Sequence, residues 1–434
     1  MRNKKRIRKI IIIAGWLLVW QLISFCTGNN ILLVGPVETL MALGKLLPQV
    51  NFWEACLGTV FRIVPGFLAG MLLGILLAAG SAKYKWLEEI LAPLFALLKA
   101  VPVASFVVIF LIWWGSEQLA MVISFCIVLP NLYINTLEGI KSTDKKLLEM
   151  ARVFEIPVWN RIFYMYRPAL KPFLDSAIRL AAGMSWKSGV AAEVIGLPEY
   201  AIGEQLYMSK IYLDTAGVLA WTVVTILLSA GFEKAVMCLW RCFCRWEPAC
   251  HAGKTLQAAQ RQPVRLTGLT KGYAEKAVIE ALTTEYQPGR SYSFNSPSGS
   301  GKTTLFRLLA GLEKPQKGVI DMGGQKVAFL FQEDRLCEGY SALKNVELVT
   351  GNRELARKHL VQLLEEPDIY KPCRELSGGM KRRVALARAL AAGAGMVLLD
   401  EPYNGLDEAN RQRVRDYIER NTIGCIVLIA SHIE

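Results

Sequence analysis

The strongest constraint on this chain is a run of apolar segments, each long enough to cross a bilayer, all lying before Trp240. Crossing takes about 20 residues per helix. Six stretches qualify, near Lys9–Phe25, Leu57–Gly80, Leu91–Trp114, Gln118–Leu137, Phe173–Ile195 and Ala216–Trp240. Backbone amides in lipid must pair within their own segment, so the spans are expected to be helices. The N-terminus has the basic-then-apolar order of a signal peptide, but Phe25 is too bulky beside a cleavage site. It reads as a retained first helix. The fifth span is the least apolar, with Asp175, Arg179, Lys187 and Glu193. Charges there either line a path or serve the membrane interface; Lys187 is the best path candidate.

Basic residues set the orientation. Arg2, Lys4, Lys5, Arg6, Arg8 and Lys9 keep the N-terminus in the cytoplasm. Counting helices then places Lys83, Lys85, Lys141, Lys145, Lys146, Arg152, Arg161, Arg167 and Lys171 inside. The outer loops offer only Lys45 and Lys210. Six crossings return the chain to the cytoplasm at Arg241, so the rest lies where ATP is. The net charge of +13 thus marks membrane topology rather than a nucleic-acid partner. Ten cysteines form no spaced framework, and a reducing compartment argues against disulfides. Cys242 to His251 reads as part of a polar tether.

Beyond Val264 short apolar runs alternate with amphipathic stretches, the pattern of an α/β domain. "SYSFN" reads as a strand and "KTTLFRLLAGL" as the helix after it. Between them Ser298, Gly299, Ser300, Gly301, Lys302, Thr303 and Thr304 form a phosphate loop. Small residues let backbone N–H groups approach phosphates, and the helix points its positive end at them. Lys302 brings charge to the β- and γ-phosphates, and Thr303 offers a hydroxyl to Mg2+. Ser296 stands where this pattern usually has glycine. A left-handed serine would cost roughly 1–2 kcal/mol, about tenfold in affinity, so a working grip is expected; the alternative is a degenerate, non-binding loop.

Further along, "FLFQEDRL", "LSGGM", "MVLLDEP" and "NGLD" follow in fixed order. Together they resemble the ABC ATPases. The resemblance makes Gln332 the Q-loop glutamine, a contact to ATP and Mg2+. It makes Asp400 the residue that holds Mg2+ through water, Glu401 the one that orients the attacking water, and His432 the switch histidine. Tyr273 sits where that family stacks a ring on adenine. Ser377, Gly378 and Gly379 open a helix and can grip a γ-phosphate, which in that family belongs to the opposite subunit. Met380 replaces the usual glutamine of the signature. The short interval between phosphate loop and signature implies a small helical subdomain, and the chain ends two residues after His432, which implies a shortened C-terminal edge.

Between spans four and five, "LLEMARVFEIPVWNRIFYMYRPAL" places Glu149, Ala151 and Pro168 at the spacing of the EAA loop of ABC importer permeases. "AVPVASFVVIFLIWWG" is similar to the third span of nitrate/sulfonate/taurine-type permeases. Residues 1–241 are therefore expected to be a six-helix, all-α importer-type permease, 242–263 a linker, and 264–434 an α/β P-loop ABC ATPase. The resemblance implies ATP-driven import across the bacterial cytoplasmic membrane. The partners would be a second copy or a related chain and an extracytoplasmic substrate-binding protein. The solute would be small, possibly of nitrate, sulfonate or taurine type. The EAA helix would dock in a groove on the ATPase. An exporter half-transporter, or a membrane sensor that does not transport, are the alternatives.

Overall fold

The computed structural model describes residues 2–29, 31–251, 262–273, 276–295 and 300–431. In chain order the helices are α1 (Arg2–Thr27), α2 (Pro36–Leu46), α3 (Val50–Lys83), α4 (Lys85–Ala100), α5 (Val103–Lys141), α6 (Lys145–Val153) and α7 (Val158–Arg161). There follow α8 (Arg167–Gly196), α9 (Ile202–Ile211), α10 (Thr215–Arg245), α11 (Lys302–Leu309), α12 (Ala342–Thr350), α13 (Arg353–Leu360), α14 (Glu366–Ile369), α15 (Gly378–Ala391) and α16 (Glu408–Asn421). The strands are β1 (Val264–Tyr273), β2 (Lys276–Tyr286), β3 (Ser291–Asn295), β4 (Lys317–Asp321), β5 (Val327–Leu330), β6 (Met396–Asp400) and β7 (Ile426–Ser431).

Two compact units emerge, and they do not follow the linear division at residue 241. The first comprises 1–142 and 170–246; the second comprises 143–169 and 247–434. The segment between the fourth and fifth spans thus belongs to the soluble unit. The physical reason is its apolar content. Met150, Ala151, Phe154, Ile156, Tyr164 and Met165 are buried in one continuous core with the strands and helices of the second unit.

Among the described residues of the first unit, four helices are long and apolar enough to cross a membrane: Ile10–Thr27, Val50–Lys83, Val103–Lys141 and Thr215–Arg245. Two sequence expectations need correction. The span expected at 91–114 is not one helix, because α4 stops at Ala100 and α5 starts at Val103. Val101 precedes Pro102 and is extended, at φ −75° and ψ 129°, as a residue before proline prefers to be. The spans expected at 91–114 and 118–137 also share α5, whose two limbs meet at Gly115 with φ 74° and ψ −176°. Glycine reaches that conformation without a Cβ penalty. The fifth expected span lies within the 30-residue α8, whose charges keep it out of the apolar set.

Packing in this unit rests on close backbone approach. Gly66, Gly70 and Gly74, four apart on α3, face the carbonyls of Met121, Phe125 and Leu129 on α5. A Cβ on Gly66 would lie 2.1 Å from the Met121 oxygen. Lipid tails are as apolar as the helices, so association relies on such small-residue contact. Around the seam the buried side chains form four separate small clusters.

The second unit holds a four-stranded parallel sheet in the order β3-β7-β6-β5 and a three-stranded antiparallel sheet in the order β2-β1-β4. Every residue of β6 is buried, as expected of a central parallel strand. Asn295 pairs with Ser431 and Asp400 with Ala430, so three parallel strands end at one level. Ligands in open α/β sheets bind outside those carboxyl ends. Between β5 and α15 lie α12, α13 and the single turn α14.

Candidate nucleotide site and its coupling segment

Residues 296–299 and 432–434 lie outside the described residues, and with them Ser296, Ser298, Gly299 and His432. The rest of the phosphate loop is placed. Gly301 caps α11 at φ 88°, and a Cβ there would meet Val278 at 2.9 Å. Lys302 Nζ donates to the Ser431 carbonyl at 3.0 Å, which holds its charge at the end of β7. Thr303 Oγ1 donates to Asp400 Oδ2 at 3.2 Å. Burial pushes the Asp400 carboxyl up, and the Thr303 hydrogen bond opposes that shift. These residues line a cleft of about 270 Å³ with Thr304, Gln332 and Glu401.

Glu401 follows β6 in left-handed backbone, at φ 53°. Such a conformation stores about 1–3 kcal/mol in a non-glycine residue and gathers at functional sites. Several contacts hold it; among them, its N–H donates to Ala430 O at 2.9 Å, Gln332 Nε2 donates to Oε1 at 3.3 Å, and Asn404 Nδ2 donates to Oε2 at 3.0 Å. The Thr303 hydroxyl, the Gln332 amide oxygen and the Asp400 carboxylate are hard oxygen donors, the kind Mg2+ takes. The donor set therefore fits the ion.

Sequence reasoning missed the residue that ties these loops together. Arg382 on α15 is buried and donates to the carbonyls of Phe331 at 2.6 Å, Gln332 at 3.2 Å and Glu401 at 2.9 Å, and to that of Asp400. In "KRRVALARAL" it looks like any basic residue on a helix; only its burial distinguishes it. Tyr273 ends β1 half-exposed, its hydroxyl donating to Glu313 Oε2 at 2.5 Å. Ser377 caps α15, its Oγ accepting from Met380 N at 3.3 Å. Ser377 and Gly378 are exposed, and neither they nor Gly379 line the cleft of their own chain.

The segment 143–169 packs against the same unit. Asp144 caps α6, accepting from Lys146 N at 2.8 Å. Glu149 is gripped by Arg307 at 2.9 and 3.2 Å and by Arg335 at 2.8 Å. Hydrogen bonds from Arg307, above all, hold its carboxyl below the usual carboxylate range. Arg307 sits on α11, the helix that opens with Lys302, and Arg335 follows Gln332 by three residues. Lys146 pairs with Glu333 at 2.5 Å and Lys326 with Glu155 at 2.7 Å. Ala151 is buried, whereas Pro168 at the start of α8 is exposed. The segment ends in a π-turn at Ile162–Tyr166, where the Tyr164 hydroxyl donates to Pro248 O.

A lysine at the mouth of a parallel sheet, oxygen ligands converging beside it and a strained carboxylate next to them serve one chemistry, the handling of a nucleotide's phosphates. The soluble unit is a P-loop ATPase domain. Comparison with known proteins gives the lineage. Residues 279–404 match the family model "ABC transporter", and residues 70–233 match "Binding-protein-dependent transport system inner membrane component". The chain is 37% identical over 189 residues to the aliphatic sulfonates import ATP-binding protein of Escherichia coli strain K12, covering 41% of this chain and 74% of that protein. A protein of the same description from Rhodococcus jostii strain RHA1 is 38% identical over 164 residues, 36% of this chain and 66% of its own length. The chain spans about two thirds of the length of the curated relatives it matches. Among solved structures, a dimeric ATP-binding cassette with ADP and Pi, in a post-hydrolysis state, aligns at 27% identity with a TM-score of 0.37 over 39% of this chain and 88% of that one. The chain belongs to the ABC transporter family and joins an importer-type permease region to an ABC ATPase domain.

Proposed function

We propose that this chain is the fused permease–ATPase subunit of a binding-protein-dependent importer, working as a pair of copies in the cytoplasmic membrane with its ATPase inside. The observation that carries the reading is the grip of Arg307 and Arg335 on Glu149. It fastens the segment between two membrane spans to the helix that opens at the phosphate loop. A change at the phosphates has a rigid route into that segment, without a flexible intermediary.

In this mechanism Lys302 and the N-terminus of α11 hold the phosphates, and Glu401 orients the water that attacks. Thr303, Gln332 and Asp400 would hold Mg2+, which supplies charge neutralisation when bound. Little covalent chemistry is required of the protein; positioning and electrostatics dominate. The outward-facing Ser377 and Gly378 support the need for a second copy, because they cannot reach the cleft of their own chain without rearrangement. Import rather than export is favoured by the match to a binding-protein-dependent permease model. The solute is a small organic anion of the aliphatic sulfonate type, a reading supported by the names of the ATPase relatives.

The test is uptake of labelled ethanesulfonate and taurine into vesicles carrying the chain, with and without candidate extracytoplasmic binding proteins. ATP hydrolysis is followed in parallel. Uptake that needs both ATP and a binding protein is expected. Glu149→Ala should leave ATP binding intact and lower uptake about tenfold relative to hydrolysis, through the loss of the half-buried charge-assisted contacts to Arg307 and Arg335. Uptake indifferent to a binding protein, or an E149A chain as well coupled as the parent, would sink the reading.

A further inference from the structure

We infer that Arg382 is a positioning residue that links the two nucleotide sites of a pair of copies: it makes hydrolysis in its own chain's cleft depend on what the start of α15 holds for the other copy. This rests on the paired-copy reading above and deepens it by naming the residue that carries the link. At the start of α15, Ser377 and Gly378 are exposed and lie outside the cleft of their own chain. Five residues on, roughly 7.5 Å along the axis, Arg382 is 4% exposed and reaches two loops of that cleft. Its Nη1 donates to the carbonyls of Phe331 at 2.6 Å and Gln332 at 3.2 Å, and to Asp334 Oδ1 at 3.2 Å. Its Nη2 donates to Glu401 O at 2.9 Å and to Asp400 O. One planar guanidinium thus holds the backbone carbonyls of Gln332 and Glu401, whose side chains meet at 3.3 Å in the cleft.

Packing alone does not account for this arrangement. A buried guanidinium loses its hydration, and the Arg382 Nε–H has no hydrogen-bond partner among the described residues. What the burial secures is that the loop after β5 and the loop after β6 are fixed to one helix. Arg388 supplies the contrast. It is equally buried on the same helix, but it donates to the carbonyls of Asp334 at 2.9 Å and Arg335 at 2.7 Å, in the first loop alone. The bistable element is the Glu401 backbone, left-handed at φ 53°. A non-glycine residue keeps such a conformation only where its surroundings over-determine it. Ala430 O holds its N–H, and Arg382 holds its carbonyl. A small shift of α15 changes the second grip and leaves the first. A γ-phosphate of the other copy, gripped at Ser377, biases α15 and through Arg382 the carboxylate that orients water. Two sites that bias one element are coupled in free energy.

The experiment needs no knowledge of the solute. The full chain is reconstituted in vesicles as the parent, Arg382→Gln, Arg382→Lys and Arg388→Gln. Hydrolysis is measured against ATP concentration, with binding of a fluorescent ATP analogue and the melting temperature read in parallel. The parent should be cooperative, with a Hill coefficient above about 1.5 where two sites allow at most about 2. In R382Q the coefficient should fall to about 1 and kcat by roughly 10- to 100-fold, while affinity for the analogue stays within about twofold. R382K keeps the charge but loses the planar fork, and it should lose cooperativity in the same way. R388Q should melt lower than the parent and keep its Hill coefficient. An Arg382 variant that binds the analogue and stays as cooperative as the parent overturns the inference, as does an equal loss of cooperativity in R388Q. Failure of both Arg382 variants to bind the analogue would make the arginine a requirement of the fold and overturn it too, as would a parent without cooperativity. Association of copies, read by cross-linking the parent in the same vesicles, tests the paired reading separately.

Discussion

The two units hold together by different means. In the membrane unit, α3 and α5 meet through Gly66, Gly70 and Gly74, where backbone touches backbone and four small clusters of side chains fill the surroundings. In the ATPase unit one continuous apolar core carries both sheets, the helices and the segment 143–169. Water drives burial in the second case; in lipid that drive is absent between helices, and fit replaces it. Conserving volume should therefore matter in one unit and conserving backbone proximity in the other.

The largest effect expected from a single change lies in the ATPase unit and leaves its core untouched. Glu401→Gln keeps the shape and the contact with Asn404 but removes the carboxylate. Steady-state hydrolysis should fall about 100-fold or more, while nucleotide binding and the melting temperature stay near those of the parent. A variant that still turns over at a tenth of the parental rate would show that the strained backbone at this position serves structure and not chemistry.

Next in size is a change that adds atoms in the membrane unit. Gly66→Ala puts a Cβ 2.1 Å from the Met121 carbonyl, and α3 and α5 must part. The penalty should reach the upper end of ordinary overpacking, about 3 kcal/mol, read as lost monodisperse protein after extraction and a lower melting temperature. Gly231→Ala, with nothing within 4 Å, is the control and should be neutral. Equal behaviour of the two would break the contrast between the units, because it would mean that α3 and α5 have slack.

These contrasts also explain what could be read from the chain before its structure. The phosphate loop, signature and acidic pair were legible because their work is local: a strand, a turn and a helix start within a dozen residues. The apolar spans were legible as composition, but the break at Val101–Pro102 and the bend at Gly115 were not. Hydropathy averages over a proline or a glycine that redirects the backbone. The glycines of α3 show a four-residue spacing, yet their partner on α5 is more than fifty residues away. Longer separations hid more. Glu149 finds Arg307 and Arg335 across 158 and 186 positions. Arg382 finds its carbonyls only because two loops fold over α15. The resemblance to importer permeases implied that the helix at Glu149 docks on the ATPase, but nothing in the linear pattern itself says that residues 143–169 as a whole join the core of that unit.

The smallest effect concerns that join, and its sign can be worked out. Arg307 first, with Arg335, holds the Glu149 carboxyl below the ordinary value of 4.5. A carboxyl depressed in the folded state stabilises it fully above its unfolded pKa and loses that contribution as pH falls through its folded pKa. The window therefore opens near 4.5 and extends downward; nothing from this group should change between pH 8 and 5.5. Glu149→Gln removes the titration while keeping a hydrogen-bonding amide. The stability difference between parent and E149Q should be flat over neutral pH, about 1 kcal/mol for a partly exposed ion pair, and should shrink toward zero below pH 4.5. Thermal melts of both chains across that range measure it. A difference that instead grows on acidification would mean that the carboxyl is held up by burial rather than down by the two arginines. The segment would then be packed as core, like Met150 beside it, and not clamped by charge.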